Sequence, residues 1–185
     1  EEAAKIADYT AHDVDILSAF RRLRILRIML AGADLNGSYP VFFNFPLLEH
    51  LEIFDCPYIK WDLQMLAGMP LLKELNCFVN SSMTGNISSL RMLKATLEKI
   101  TLMNCPNVEG NFTDLADFPR LKELDLQYTA VTGDIRDISR NDFSAIEKFA
   151  LPKSVVGGNY YEFQRVADVP DFMNEIYHLM TQIPC

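Results

Sequence analysis

The 185-residue chain is 49% apolar and 23% charged, with a net charge of −8, the composition of a globular protein rather than a disordered one. That acidic balance argues against a nucleic-acid partner, because phosphate binding draws its affinity from clustered Lys and Arg. No uncharged apolar run reaches about 18 residues, so no transmembrane helix is expected.

The amino-terminal EEAAKIADYT has the wrong charge for a secretory signal and no initiator Met, so the chain is expected to be a processed or excised segment of a fuller protein. Its first nine residues are expected either to form a short helix over an exposed end or to be preceded by more chain. Residues 11–22, AHDVDILSAFRR, match the second half of a repeat, so 1–22 form an expected N-terminal cap and partial repeat. Arg21, Arg22, Arg24 and Arg27 alternate with Leu23, Ile25, Leu26 and Ile28 and suit a solvated strand edge better than an anion site.

From Leu23 onward one frame recurs. It reads Leu121-x-x-Leu124-x-Leu126-x-x-Thr129, and its first positions fall at 23, 48, 72, 97, 121 and 146, spaced 25, 24, 25, 24 and 25 residues apart. The fourth and sixth positions are apolar in every copy: Leu26 and Ile28, Leu51 and Ile53, Leu75 and Cys77, Ile100 and Leu102, Leu124 and Leu126, Phe149 and Leu151. Three positions before each frame stands Phe20, Phe45, Met69, Phe118 or Phe143, with Lys94 as the exception.

With its 24/25-residue period, the chain resembles leucine-rich repeat proteins, whose signature is LxxLxLxxN/CxL. The tails TGNIS (84–88), EGNFT (109–113) and TGDIR (132–136) are most similar to the plant-type class, without its Pro, and their wording is similar to that of small algal and protist proteins. The resemblance implies an α/β right-handed solenoid, or horseshoe. Short parallel strands would line the concave face and irregular or 3-10 segments the convex face, with six repeats over 23–158. Positions 4 and 6 would point inward, positions 3, 5 and 7 outward. Cys56, Asn80, Cys105, Thr129 and Ser154 would occupy the ninth position, where polar side chains satisfy backbone groups of adjacent repeats.

The four cysteines, Cys56, Cys77, Cys105 and Cys185, form no CxxC pair and have no metal-ligand spacing. Cys56 and Cys105 lie two repeats apart, roughly 10 Å at about 4.8 Å per strand, beyond disulfide reach. Free thiols and a reducing intracellular compartment are therefore expected.

After Gly157-Gly158 the pattern changes. Pro170 stands behind Asp168 near a helix start, and Phe172, Met173, Ile176, Leu179 and Met180 recur at helical spacing. The segment 159–185 is expected to be a C-terminal cap with an amphipathic helix over 169–181.

Nothing in the sequence assembles a catalytic cluster. His12, His50 and His178 fall in different parts of the repeat array, and no GxGxxG or P-loop occurs. No enzyme activity, cofactor or metal is expected. His50 is read as one more polar residue between Ile25 and Glu74. The sequons at Asn36, Asn80, Asn86 and Asn111 raise the possibility of a glycosylated receptor ectodomain. The repeat tail itself accounts for two of them, and Asn80 is expected to be buried.

On the solvent face, position 2 runs Arg24, Glu49, Lys73, Glu98, Lys122, Glu147, and position 3 runs Ile25, His50, Glu74, Lys99, Glu123, Lys148. Alternating signs leave these columns largely self-neutralised. Position 7 differs, running Met29, Phe54, Phe78, Met103 and then Gln127 and Pro152, while position 8 adds Leu30, Val79 and Tyr128. An exposed apolar stripe rimmed by charge marks an interface. The expected function is non-catalytic binding of a protein partner through Met29, Leu30, Phe54, Phe78, Val79, Met103, Gln127 and Tyr128. A scaffold subunit of a larger assembly and a receptor ectodomain are the alternatives, and the sequence does not indicate an oligomeric state.

Overall fold

The computed structural model describes residues 3–6, 20–30, 44–139 and 141–156. Strands β1 (Ala3–Ile6), β2 (Ile25–Met29), β3 (His50–Phe54), β4 (Trp61–Asp62), β5 (Glu74–Phe78) and β6 (Met83–Asn86) come first along the chain. They are followed by β7 (Lys99–Thr101), β8 (Val108–Asn111), β9 (Glu123–Asp125), β10 (Ala130–Asp134), β11 (Lys148–Ala150) and β12 (Val155–Val156). They form two all-parallel sheets, one ordered β1-β2-β3-β5-β7-β9-β11 and the other β12-β10-β8-β6-β4.

The register of the larger sheet follows from the apolar frame. Leu26, Leu51, Leu75, Ile100, Leu124 and Phe149 lie side by side on successive strands, and each is buried. Their neighbours two residues on, Ile28, Ile53, Cys77, Leu102 and Leu126, are fully buried as well. A strand places alternate residues on opposite faces, so slipping any copy by one residue would turn this whole row to solvent. At roughly 1.5–3 kcal/mol for each large apolar side chain removed from water, such a slip is strongly disfavoured.

The smaller sheet closes the other side of the core. Met83, Val108 and Val131 contribute buried side chains to the same cluster, as do Leu63, Ile87, Phe112 and Ile135 from short 3-10 segments. Those segments, Leu63–Gly68, Ile87–Leu93, Phe112–Leu115 and Ile135–Asp137, each start behind a capping carboxylate or amide. Asp62, Asn86, Asn111 and Asp134 accept the backbone N–H two residues on, at 2.9–3.1 Å. Each cap supplies an acceptor for an amide that the short helix leaves unpaired. The glycine before the cap makes room for the previous one. At Gly110 (φ 121°) a Cβ would stand 2.6 Å from Asn86 Oδ1, and at Gly133 (φ 140°) 2.5 Å from Asn111 Oδ1.

Three features depart from the sequence reading. Ala3–Ile6 is a strand paired in parallel with β2, not the helical cover that was one of two expectations. Ala and Lys favour a helix, but an open sheet edge offers their backbone a full ladder, and context overrides propensity. The tails of the five frames that start at 48, 72, 97, 121 and 146, expected to be irregular or 3-10, each begin with a strand and so build the second sheet. Phe20, expected to be a core contact, is 46% exposed, whereas Phe45, Met69, Phe118 and Phe143 are buried. The amphipathic pattern at 169–181, and with it Cys185, His12, His178 and Asn36, lies outside the described residues.

Candidate functional site

The larger sheet has one face in the core and one face open. Its strands alternate buried and partly exposed residues, as in β3 and β5, where Leu51, Ile53, Leu75 and Cys77 point inward. The seventh-position row begins with Met29, Phe54 and Phe78 in direct register. It continues past the end of the formal strands because the same backbone bond repeats. The N–H groups of Leu30, Asp55, Val79 and Asn104 donate to the carbonyls of Phe54, Phe78, Met103 and Gln127, at 2.8–3.1 Å. Met29, Phe54, Phe78, Met103 and Gln127 are thus held in one line.

The side chains of that row are half-buried rather than fully open, because neighbours about 4.8 Å apart cover one another. Phe54 and Phe78 meet edge to face, with ring centroids 6.3 Å apart, a favourable aromatic geometry. The eighth-position residues stand out further: Leu30 is 49%, Val79 41% and Tyr128 64% exposed. All eight residues proposed from sequence therefore fall on one edge of the open face.

The charged columns are paired. Glu49 bridges Arg24 and Lys73, Arg27 meets Glu52 at 2.9 Å, and Lys122 meets Glu98 at 3.3 Å. Glu123 sits between Lys99 at 2.9 Å and Lys148 at 2.7 Å. Hydrogen bonds from Lys148 and Lys99 hold its carboxyl below the usual carboxylate value. His50 Nδ1 lies 3.1 Å from Glu74. Exposed pairs of this kind contribute about 0–1 kcal/mol each; their clearer effect is to leave few unbalanced charges on the face.

Beneath them the ninth-position ladder is largely as expected. Asn80 is fully buried; its Nδ2 donates to Ile53 and Phe78 carbonyls at 2.8 and 2.9 Å, and its Oδ1 accepts the Cys56 N–H at 3.1 Å. Cys56 and Cys105 thiols donate to carbonyls of their own and the preceding repeat, at 3.2–3.8 Å. Thr129 differs, bonding only within its own repeat, to the Leu126 carbonyl. Cys56, Cys77 and Cys105 are buried thiols, and burial pushes Cys77 well up and Cys105 up to about 11. Cys77 and Cys105 are thereby held as neutral thiols. The burial of Asn80 removes that sequon from the surface, while Asn86 and Asn111 serve as caps.

One feature was missed from sequence. The fifth-position row, Arg27, Glu52, Asn76, Thr101 and Asp125, runs through the middle of the open face in register. Across β7, β9 and β11 it opens into a groove of about 520 Å³. Phe78, Thr101, Asp125 and Gln127 line it, with Lys99 and Lys148 on either side of Glu123. Burial raises the Asp125 carboxyl above its ordinary value, partly offset by the Gln127 N–H that donates to it at 3.0 Å. The signal was available in the same frame that exposed the stripe: unlike the second and third positions, the fifth does not alternate in sign, and Asp125 has Thr101 and Ala150 beside it in its own row.

Among the described residues no group of three or more His, Cys, Asp or Glu side chains is placed to hold a metal ion. No helix among them is long and apolar enough to cross a membrane. Comparison with known protein families and with curated proteins finds no match to this chain.

Proposed function

We propose that this chain is a leucine-rich repeat solenoid that acts as a non-catalytic protein-interaction module, binding a protein partner through the concave, open face of its larger sheet. The observation that carries this reading is the continuous row Met29, Phe54, Phe78 and Met103, held in line by a repeated backbone bond and edged by exposed Leu30, Val79 and Tyr128. Aromatic and Met side chains offer large contact area with limited loss of freedom, and the paired charges around them form a rim that excludes water. The 24/25-residue register, shared by six frames with two parallel sheets, supports the family reading.

Phe54→Ala with Phe78→Ala is the test. Both rings are only half-buried, so the double variant is expected to keep its circular dichroism spectrum and a cooperative melt while losing partner binding by about a hundredfold or more. A variant that no longer folds, or one that still binds its partner at the original affinity, counts against the stripe as the contact.

A further inference from the structure

The open face is not uniformly neutral. In the fifth-position row Glu52 is matched by Arg27 at 2.9 Å, but the row then continues through Asn76 and Thr101 to Asp125 with no cation at all. The buried Oδ1 of Asn76 has no hydrogen-bond partner among the described residues. Asp125 accepts the Gln127 N–H, and no ion pair among the described residues reaches it. The two ammonium groups in its groove, Lys99 and Lys148, both turn to Glu123 at 2.9 and 2.7 Å. Glu147, also lining the groove, adds a further negative charge. The lining therefore carries two cations against three carboxylates, in a chain whose net charge is −8.

We propose that this groove receives an arginine or lysine side chain from a partner protein, with Asp125 as its counter-charge and the Phe78 ring as a wall for its carbon stem. The proposal rests on the reading of the open face as a protein-binding surface and specifies the chemistry of one contact on it. An aliphatic side chain would fill the space but would bury the Asp125 carboxylate further without compensation, which is unfavourable. An anion would meet Asp125 and Glu147, while the lysines available to receive it are already engaged by Glu123. A cation supplies the missing partner, and its charge offsets the desolvation that already raises the Asp125 carboxyl. Phe78 stands at the join between this groove and the apolar row, so a basic residue flanked by apolar ones would engage both.

The experiment is a random peptide library displayed on phage and panned on the immobilised 185-residue chain, on Asp125→Asn and on Phe54→Ala. Peptides selected on the unaltered chain are expected to be enriched in Arg or Lys beside apolar residues. A synthetic binder should weaken about tenfold or more on Asp125→Asn, and equally when citrulline replaces its arginine on the unaltered protein, a comparison that does not depend on the variant folding. A library that yields no binders, binders without basic enrichment, or binding that tolerates the citrulline exchange overturns the proposal. Binders that require Phe54 but ignore both Asp125 and the citrulline exchange overturn it while leaving the broader reading of the face intact.

Discussion

At the scale of single residues, the least comfortable position in the repeat is the eighth. Leu30, Asp55, Val79, Asn104 and Tyr128 all have φ between 49° and 58°, the left-handed region that costs an L-residue about 1–2 kcal/mol. Their N–H groups explain why the conformation is kept in the first four, since each bonds the seventh-position carbonyl of the next repeat. Asp55 and Asn104 tolerate it best; β-branched Val79 tolerates it worst. Val79→Asn is therefore expected to stabilise the protein by about 1 kcal/mol, read as a higher urea midpoint at unchanged m-value. An unchanged or lower midpoint would show that the exposed Val79 side chain contributes more than its backbone strain takes away. The inward leucines and the buried Asn80 were legible in the sequence because burial restricts what can stand there. The left-handed row was not, because Leu30, Val79 and Tyr128 carry no trace of it.

Between elements, Asp117, just past the 3-10 segment Phe112–Leu115, ties that stretch to the preceding segment Ile87–Leu93. Arg91, in Ile87–Leu93, reaches both Asp117 carboxylate oxygens at 3.0 Å each, and Lys94 joins them at 2.5 Å. These hydrogen bonds, Arg91 first, lower the Asp117 carboxyl to about 2 from an ordinary 3.8. A carboxyl depressed in the folded state adds stability that is complete above its unfolded value and disappears as pH falls through the folded one. The unfolding midpoint in urea should thus drop between pH 3.8 and about 2, and Asp117→Asn should flatten that drop while lowering the midpoint at neutral pH. An identical acid profile in the variant would assign the acid sensitivity to other carboxylates. None of this clamp was read from the sequence, since Arg91, Lys94 and Asp117 lie outside the frame and meet only when consecutive repeats stack. The second sheet escaped notice for a related reason: β6, β8 and β10 each carry a glycine and a single buried apolar side chain, Met83, Val108 or Val131, so no alternation registers, and β4 and β12 are only two residues long. Strand β1 was hidden behind helix-forming residues. What the frame did reveal were the elements whose spacing is set by the core.

Across the whole molecule, each strand of the larger sheet pairs only with its neighbours in chain order, apart from the strands assigned to the second sheet. Stability in such a stack is approximately a sum of repeat terms and nearest-neighbour terms, so damage should spread outward and fade. Ile100, fully buried in β7 between Leu75 and Leu124, is the place to test this. Ile100→Ala should cost about 2–5 kcal/mol, combining lost transfer energy with the cavity left behind. Native-state hydrogen exchange would then quicken most in β5 and β9, less in β3 and β11, and least in β2, where two intact interfaces intervene before the affected strands. Equal acceleration in all of these strands would mean that the sheet opens as a single cooperative unit. The distinction bears on recognition, because Phe54 and Phe78 sit on β3 and β5 while Asp125 ends β9. In a nearest-neighbour stack, Ile100→Ala loosens the groove at Asp125 and the Phe78 end of the apolar row while leaving Met29 and Phe54 comparatively ordered, so a partner would lose its basic contact before its apolar one.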